Sequence, residues 1–269
     1  MTAAAATAPR MRPYGLARAD LLKLRKRRGL FWTTTVLIVV PVVLAYGILA
    51  ILHAANPAHH GPAGGIANLG HGMSVLVLVG SIGAIIAGAS AGADDLSSGV
   101  FRELVVTGRS RLALFGARIP GGLAFVLSFA AVAYGISAVV SATANGDLRA
   151  PSATLVVESG LWVFAELAFY VLLGLGVASV TGSRAYTIGI LLAWRTVASH
   201  LLASISVLGV YRELVPDVPF DRLAPNAIED YVRDVPRLHP SLTTAVLVLV
   251  LWVGVVTAVG AWRTATRDA

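Results

Sequence analysis

The residues in this sequence most able to do chemistry are charged side chains inside long apolar runs. Glu166 lies in the apolar run 157–180, and Arg195 lies in the run 185–209. A charged side chain at the centre of a membrane costs about 2.5–3.5 kcal/mol on insertion scales, so it needs a partner. The spacing places both residues near mid-membrane and predicts an intramembrane charge pair. Such a pair either fixes helix packing or lines a translocation path or subunit interface.

Catalytic and metal chemistry have little support in this sequence. His200 also lies in an apolar run, but no serine motif accompanies it and no second histidine lies in a predicted span. Asp94 and Asp95 are too few for a lipid head-group transferase. The sequence has no cysteine, and the histidines of the loop 53–72 are irregularly spaced. We therefore predict no catalytic residues, no metal site and no cofactor bound by this chain, and an intramembrane enzyme remains the alternative.

The apolar runs that hold these residues have the length of membrane-spanning helices. The 269 residues are 57% hydrophobic and 13% charged, with a mean hydropathy of +0.78. A bilayer core needs about 20 apolar residues per helix, and the runs are continuous rather than alternating. The sequence predicts an all-α, polytopic membrane protein, and the six predicted transmembrane helices are 32–52, 73–93, 119–142, 157–180, 185–209 and 242–262.

Basic residues are distributed unequally between the two sides of these spans. Of 21 Lys and Arg, 15 fall before span one, between spans two and three, between spans four and five, or after span six. Five fall on the opposite side. The positive-inside rule then predicts that both termini are cytoplasmic. The high Ala, Val, Arg and Gly content, with only two lysines, indicates a GC-rich bacterial genome, so the expected location is a bacterial plasma membrane. The same distribution explains the net charge of +7 without a nucleic-acid partner.

The segment before span one is predicted to have two parts. Residues 1–15 are rich in alanine and are predicted to be disordered, whereas residues 16–269 form a single transmembrane domain. In 16–28 leucines alternate with basic residues, which is typical of an amphipathic interfacial helix held on anionic lipid. A plain basic flank is the alternative. Pro41 is expected to kink span one, and Gly88 and Gly92 form a GxxxG pair that favours close helix packing in span two.

The segment 94–120, between spans two and three, has the features of a short separate helix. Ser97 or Ser98 could cap its N-terminus, where Asp94 and Asp95 would suit the helix dipole. Gly108 could end it in a left-handed conformation.

This segment resembles the cytoplasmic coupling helix of ABC transporter permeases of the type-2 export family. The family shows an acidic residue, a glycine soon after it, a leucine-rich turn and spaced basic residues before span three. Here these positions are occupied by Asp95, Gly99, Leu104, Thr107, Arg111 and Arg118. Gly108 stands where proline is common, and Val100 where threonine is common. Six spans, a short second cytoplasmic loop and a longer last external loop also match the family's layout.

The resemblance implies the membrane-spanning permease subunit of an exporter that moves a hydrophobic or amphipathic drug, lipid or peptide out of the cell. It would pair with a second permease copy or a related chain, as a homo- or heterodimer. A separate ABC ATPase subunit would hold ATP and Mg²⁺ and dock on the coupling helix. The residues assigned to this coupling are Asp95, Ser98, Gly99, Phe101, Arg102, Glu103, Leu104, Thr107 and Arg111.

The last loop, residues 211–241, carries six acidic residues and four arginines. Because it is so charged, we expect a solvated cap over the external opening rather than a segment inside the membrane. A non-ABC membrane carrier is a further alternative to the exporter, although the inverted repeat common in such carriers is not evident.

Overall fold

The computed structural model describes residues 13–106, 108–232, 238 and 240–267, and all regular structure in them is helical. Six helices in this part are long and apolar enough to cross a membrane, so the prediction of an all-helical chain with six spans is confirmed at that level. The helices are α1 (Pro13–Lys26), α2 (Arg28–Ala55), α3 (Ile66–Ser97), α4 (Val100–Val106), α5 (Arg111–Thr143), α6 (Ala153–Thr181), α7 (Arg184–Ser204), α8 (Asp217–Leu223), α9 (Glu229–Val232) and α10 (Leu242–Thr266). A stretch of 3-10 helix, Ser206–Leu214, follows α7 and is interrupted by non-helical backbone at Gly209.

Two of the long helices contain a turn of wider π-helix. In α2 this turn is Thr35–Val39, and Pro41 follows it after one residue. Proline has no N–H to donate to the carbonyl of Leu37, so the regular ladder cannot continue through it. In α7 the π-turn is Trp194–Ala198, and it contains the buried Arg195. A π-turn of this kind often lies at a functional position.

Helices α3 and α6 form the centre of the bundle, and small residues let their backbones approach closely. A β-carbon on Gly88 would overlap the Val171 carbonyl, and one on Gly92 would overlap the Leu175 carbonyl. A β-carbon on Gly174 would lie 2.8 Å from the Ile85 carbonyl oxygen. The GxxxG prediction of close packing is therefore confirmed, and the partner of this face is α6 of the same chain.

The N-terminal helix α1 packs on protein. Leu24 is buried, and a β-carbon on Gly121 of α5 would lie 2.9 Å from the β-carbon of Asp20. Lys23 and Arg27 pair with acidic residues of α3. The sequence predicted that these basic residues bind anionic lipid. At least Lys23 and Arg27 instead bind acidic residues of the bundle. The segment 1–15 was predicted to be disordered. Its residues 1–12 lie outside the described part of the chain, and α1 already begins at Pro13.

The segment between α7 and α10 folds back between the long helices. Residues 215–220 are all buried, and the Trp162 indole N–H donates to the Phe220 carbonyl at 2.9 Å. Trp252, in the middle of α10, donates to the Leu214 carbonyl at 2.8 Å. The expected solvated cap is therefore wrong for this stretch. Its apolar residues and the ion pair of its Asp217 with Arg195 of α7 offset the cost of burying it. A count of charges over the whole loop did not reveal this.

Candidate docking helix and buried ionic cluster

The short helix α4 is bounded by two glycines in the left-handed region, with φ of 76° at Gly99 and 81° at Gly108. The predicted capping differs from the observed one. The hydroxyls of Ser97 and Ser98 both donate to the Asp94 carbonyl, at 3.2 and 2.7 Å. These serines therefore end α3 and do not begin α4. The two left-handed glycines make α4 a separate unit that turns away from α3.

Most of α4 faces outward, and one side chain anchors it. Arg102 and Glu103 are exposed, and Val106 is 80% exposed. Leu104 is half-buried. Phe101 is buried, with its ring centre 5.5 Å from the guanidinium carbon of Arg118. The helix thus presents charged and apolar side chains outward from a single buried aromatic contact.

The Phe101 contact leads to an ion-paired cluster that joins three further helices. The Arg118 side chain, on α5, is 2% exposed, and its Nη2 lies 3.4 Å from Oδ2 of Asp95 on α3. The same carboxylate oxygen lies 2.7 Å from Nζ of Lys23 on α1. Arg118 also donates to the Gly92 carbonyl at 3.2 Å. A continuous series of contacts therefore runs from α4 through α5 and α3 to α1.

Each carboxylate of this cluster has a cationic partner. Asp94 pairs with Arg27, and Lys23 lies 3.0 Å from Asp20 as well as near Asp95. The ion pairs join Asp20, Asp94 and Asp95 to Lys23, Arg27 and Arg118, and the charge of Arg184 also acts on Asp94. Paired and hydrogen-bonded charges can be buried at an acceptable cost, whereas removing one partner leaves the other uncompensated.

Other predicted residues lie around this end of the bundle. Arg111 donates to the carbonyls of Ala265 and Arg267, so it binds the C-terminal end of α10 and does not face outward with α4. Arg267 in turn donates to the Val180 carbonyl at 3.4 Å. Beside α4 is an open cleft of about 390 Å³, which is lined by Leu96, Gly99, Phe101, Arg102, Thr181, Gly182 and Arg267. Thr107 lies outside the described residues.

The second predicted site, deep in the bundle, contains a carboxylate that the sequence analysis did not assign to it. Glu166 and Arg195 are both buried, 3% and 1% exposed. Asp217, on the folded-back segment, is 3% exposed, and its Oδ1 lies 3.7 Å from Arg195 Nη1. The Tyr170 hydroxyl donates to the same oxygen at 2.8 Å. Glu166 lies one helical turn before Tyr170 on α6, so it borders the same cluster.

Sequence reasoning assigned Lys23 and Arg27 to contact with lipid and Asp217 to a solvated loop, so it did not place these residues in the two clusters. The signal for Asp217 was present: it lies in the short apolar run 215–220 between Pro216 and Pro219, which is unusual for a solvated loop. The cations that pair with Asp94 and Asp95 are separated from them by 67 and 72 sequence positions, so no local pattern indicates them.

No family model matches the sequence, and a search of curated proteins also gives no match.

Proposed function

We propose that this chain is the permease subunit of an ATP-binding cassette exporter in a bacterial plasma membrane, with α4 as the helix on which a separate ATPase docks. The observation that carries the proposal is the combination at α4 of an exposed outer surface and a buried anchor. Arg102 and Glu103 are exposed, while Phe101 contacts Arg118 of the buried cluster. A helix of this kind can receive a partner on one side and transmit its displacement on the other.

We place the energy source on a partner. The sequence contains no GxxxxGK[ST] phosphate-binding loop, and its only lysines, Lys23 and Lys26, lie in the N-terminal helix. ATP and Mg²⁺ would bind the ATPase subunit, and this chain would convert the closure of that subunit into movement of its spans.

The contacts provide a physical route for that movement. Displacement of α4 would push Phe101 against Arg118, which is bonded to both Asp95 and the Gly92 carbonyl. Because Asp95 is also bonded to Lys23, α1 would move with the ends of α3 and α5.

The surface around α4 indicates the chemistry of the partner. Arg102 and Arg267 both line the cleft beside α4, so acidic side chains on the ATPase would be attracted there. By the resemblance to type-2 exporters, two such permeases, identical or related, would form the transport unit. Its cargo would be a hydrophobic or amphipathic drug, lipid or peptide.

Co-purification tests this proposal. The tagged chain should purify from native membranes with an ATPase that carries a phosphate-binding loop. Exchanging the exposed charges, as Arg102→Glu with Glu103→Arg, should abolish the association, whereas the matched change Arg149→Glu on an exposed loop should leave it intact. Recovery of the chain without any ATPase, under conditions that keep it folded and in lipid, would contradict the proposal.

An ion-coupled carrier is a second candidate, favoured by the buried cluster of Glu166, Arg195 and Asp217. Ionisable groups deep in a membrane are typical of transporters driven by ion gradients. The two candidates differ in their energy source. Uptake of a fluorescent cargo into inverted vesicles should require hydrolysable ATP for the exporter and should persist without ATP, driven by an imposed proton gradient, for the carrier.

A further inference from the structure

We propose that a cleft at the end of the bundle opposite α4 binds the head-group of a membrane phospholipid that carries both a phosphate and a primary ammonium. Arg222 of α8 would bind the phosphate, and Glu158 of α6 would bind the ammonium. The proposal goes beyond the exporter function and holds equally for a carrier, because it concerns a lipid of the surrounding bilayer and needs no ATPase.

The cleft lies where α6 and α10 begin, beside the folded-back segment. It has a volume of about 380 Å³ and is lined by residues of α6, of α8 with the turn after it, and of the first turn of α10. On α6 the lining residues are Glu158, Leu161, Trp162 and Ala165. Because these residues are spaced three and four positions apart, they share one face of the helix.

The length of α6 places the cleft at the membrane boundary. Its 29 residues span about 44 Å, whereas the hydrocarbon core of a bilayer is about 30 Å thick. A centred α6 therefore extends about 7 Å beyond the core at each end. Glu158 lies about 8 Å from the start of the helix and Ala165 about 18 Å from it. The cleft thus extends from the boundary into the nearer half of the bilayer.

The cleft is charged at this boundary and apolar deeper in. Arg222 Nε donates to the Pro240 carbonyl at 3.2 Å, which holds the guanidinium beside the Ser241 cap of α10. Deeper in, the indole N–H of Trp162 already donates to the Phe220 carbonyl at 2.9 Å. Since that N–H is the only polar group of tryptophan, the ring contributes apolar surface. A cleft of this polarity suits an amphiphile whose head-group lies at the boundary.

Two leucines open the cleft to the surrounding lipid. Leu161 is 66% exposed and Leu242 is 56% exposed, and both line the cleft. A phospholipid could therefore place its head-group in the cleft while its acyl chains stay in the bilayer beside these leucines. The volume is near the lower end of the range of about 300–1,000 Å³ for ligand pockets, which fits a head-group but not a complete phospholipid.

The two charged side chains of the cleft keep their capacity to bind a ligand. Among the described residues, neither Glu158 nor Arg222 forms an ion pair, with the other or with any third group. Glu158 is exposed and Arg222 is half-buried. The bond to Pro240 uses Nε of Arg222, so the two terminal nitrogens of the guanidinium can donate to a ligand.

The pair of opposite charges selects the head-group. A guanidinium matches the geometry of a phosphate, whereas a carboxylate accepts hydrogen bonds from a primary ammonium. A purely anionic head-group at Arg222 would share the cleft with the negative charge of Glu158, which disfavours it. A quaternary ammonium has no N–H to donate to Glu158. The charges therefore favour a phosphoethanolamine head-group over both alternatives.

Lipid titration followed by native mass spectrometry tests the proposal. The purified full-length chain, in a non-ionic detergent, is titrated with phosphatidylethanolamine, phosphatidylcholine or phosphatidylglycerol with identical acyl chains. The wild type should bind phosphatidylethanolamine about tenfold more tightly than phosphatidylglycerol, the size expected for one hydrogen bond to a charged group. Phosphatidylcholine should also bind more weakly than phosphatidylethanolamine.

Variants assign the preference to the cleft. Glu158→Gln should weaken phosphatidylethanolamine about tenfold and leave phosphatidylglycerol no weaker. Glu158→Lys should reverse the preference in favour of phosphatidylglycerol, because the cleft then holds two cations. Arg222→Gln should weaken both lipids. The matched controls Asp147→Asn and Arg149→Gln remove exposed charges at the same end of the bundle and should behave as the wild type.

The proposal is overturned if the wild type binds phosphatidylethanolamine no more tightly than either of the other lipids, or if Glu158→Gln keeps the wild-type preference. A preference of the wild type for phosphatidylglycerol would mean that Arg222 binds an anionic head-group alone. Should Arg222→Gln fail to fold, since Arg222 also bonds Pro240, the two Glu158 variants decide. Because no ATPase takes part, failure here leaves the exporter proposal intact.

Discussion

The carboxylate of Asp95, at the C-terminal end of α3, accepts hydrogen bonds from the Lys23 ammonium of the N-terminal helix. The Nζ–O distances are 2.9 Å to Oδ1 and 2.7 Å to Oδ2. This contact crosses 72 positions of sequence and fixes α1 to the end of the bundle from which α4 projects. The N-terminal helix is thereby a structural part of the candidate docking site, and a substitution in it should affect events at α4.

Asp95→Asn should destabilise the protein far more than Lys23→Met. The asparagine leaves the buried Arg118 without its carboxylate, and breaking a buried pair costs about 3–5 kcal/mol. The Lys23 side chain is 30% exposed, so its loss should cost no more than about 1 kcal/mol. Thermal unfolding in detergent measures both, with Glu103→Gln on exposed α4 as the control. Equal effects of the two variants would show that Arg118 does not depend on Asp95.

Gly88→Ala should destabilise the bundle, because the added methyl overlaps the Val171 carbonyl and must force α3 and α6 apart. Overpacking of this kind costs about 1–3 kcal/mol. Gly135→Ala on α5 is the matched control, since a β-carbon there meets nothing within 4 Å. The control should be neutral or slightly stabilising in the same unfolding assay. Tolerance of Gly88→Ala with unchanged melting temperature would contradict the close α3–α6 contact.

Trp162→Phe should loosen the folded-back segment. The change removes the indole N–H that bonds the buried Phe220 carbonyl, and leaving such a group unsatisfied costs about 1–3 kcal/mol. Hydrogen exchange of residues 215–223 should accelerate. Trp262→Phe, at a side chain that is 63% exposed, should leave this exchange unchanged. Protection of the segment in the Trp162 variant equal to that of the wild type would argue against its anchoring by α6.

The natural absence of cysteine allows a direct test of the predicted topology. Single cysteines at Arg102 and Asp147, both exposed, report on the two ends of the bundle. In intact cells a membrane-impermeant maleimide should label Asp147→Cys and should spare Arg102→Cys until the membrane is opened. The reverse pattern would invert the orientation and remove α4 from the cytoplasm.

Continuous apolar runs made the six long helices predictable, since each run meets the length that a bilayer demands. The helix ends were less predictable: α3 extends from Ile66 to Ser97, beyond the predicted 73–93, because small and polar residues at its ends still pack on protein. Close helix packing at Gly88 and Gly92 could also be predicted, because residues four positions apart lie on the same face of a helix.

Long-range partners could not be predicted. Asp217 was assigned to a solvated loop because 211–241 is highly charged as a whole, yet the apolar run 215–220 inserts and brings one carboxylate to Arg195. The charge pair predicted between Glu166 and Arg195 stays a prediction; Arg195 lies in an ion pair with Asp217. Pairing of this kind depends on three-dimensional packing, which sequence spacing alone does not specify.

Site-specific photocrosslinking from α4 tests the central claim most directly. A photoreactive amino acid at Arg102 should crosslink, in native membranes, to an ATPase subunit with a phosphate-binding loop, while the same group at Asp147 should not. The yield from position 102 should change when ATP is added, as closure of the ATPase moves the helix. Crosslinks from position 102 that contain no ATPase, in membranes where the chain is folded, would contradict the account.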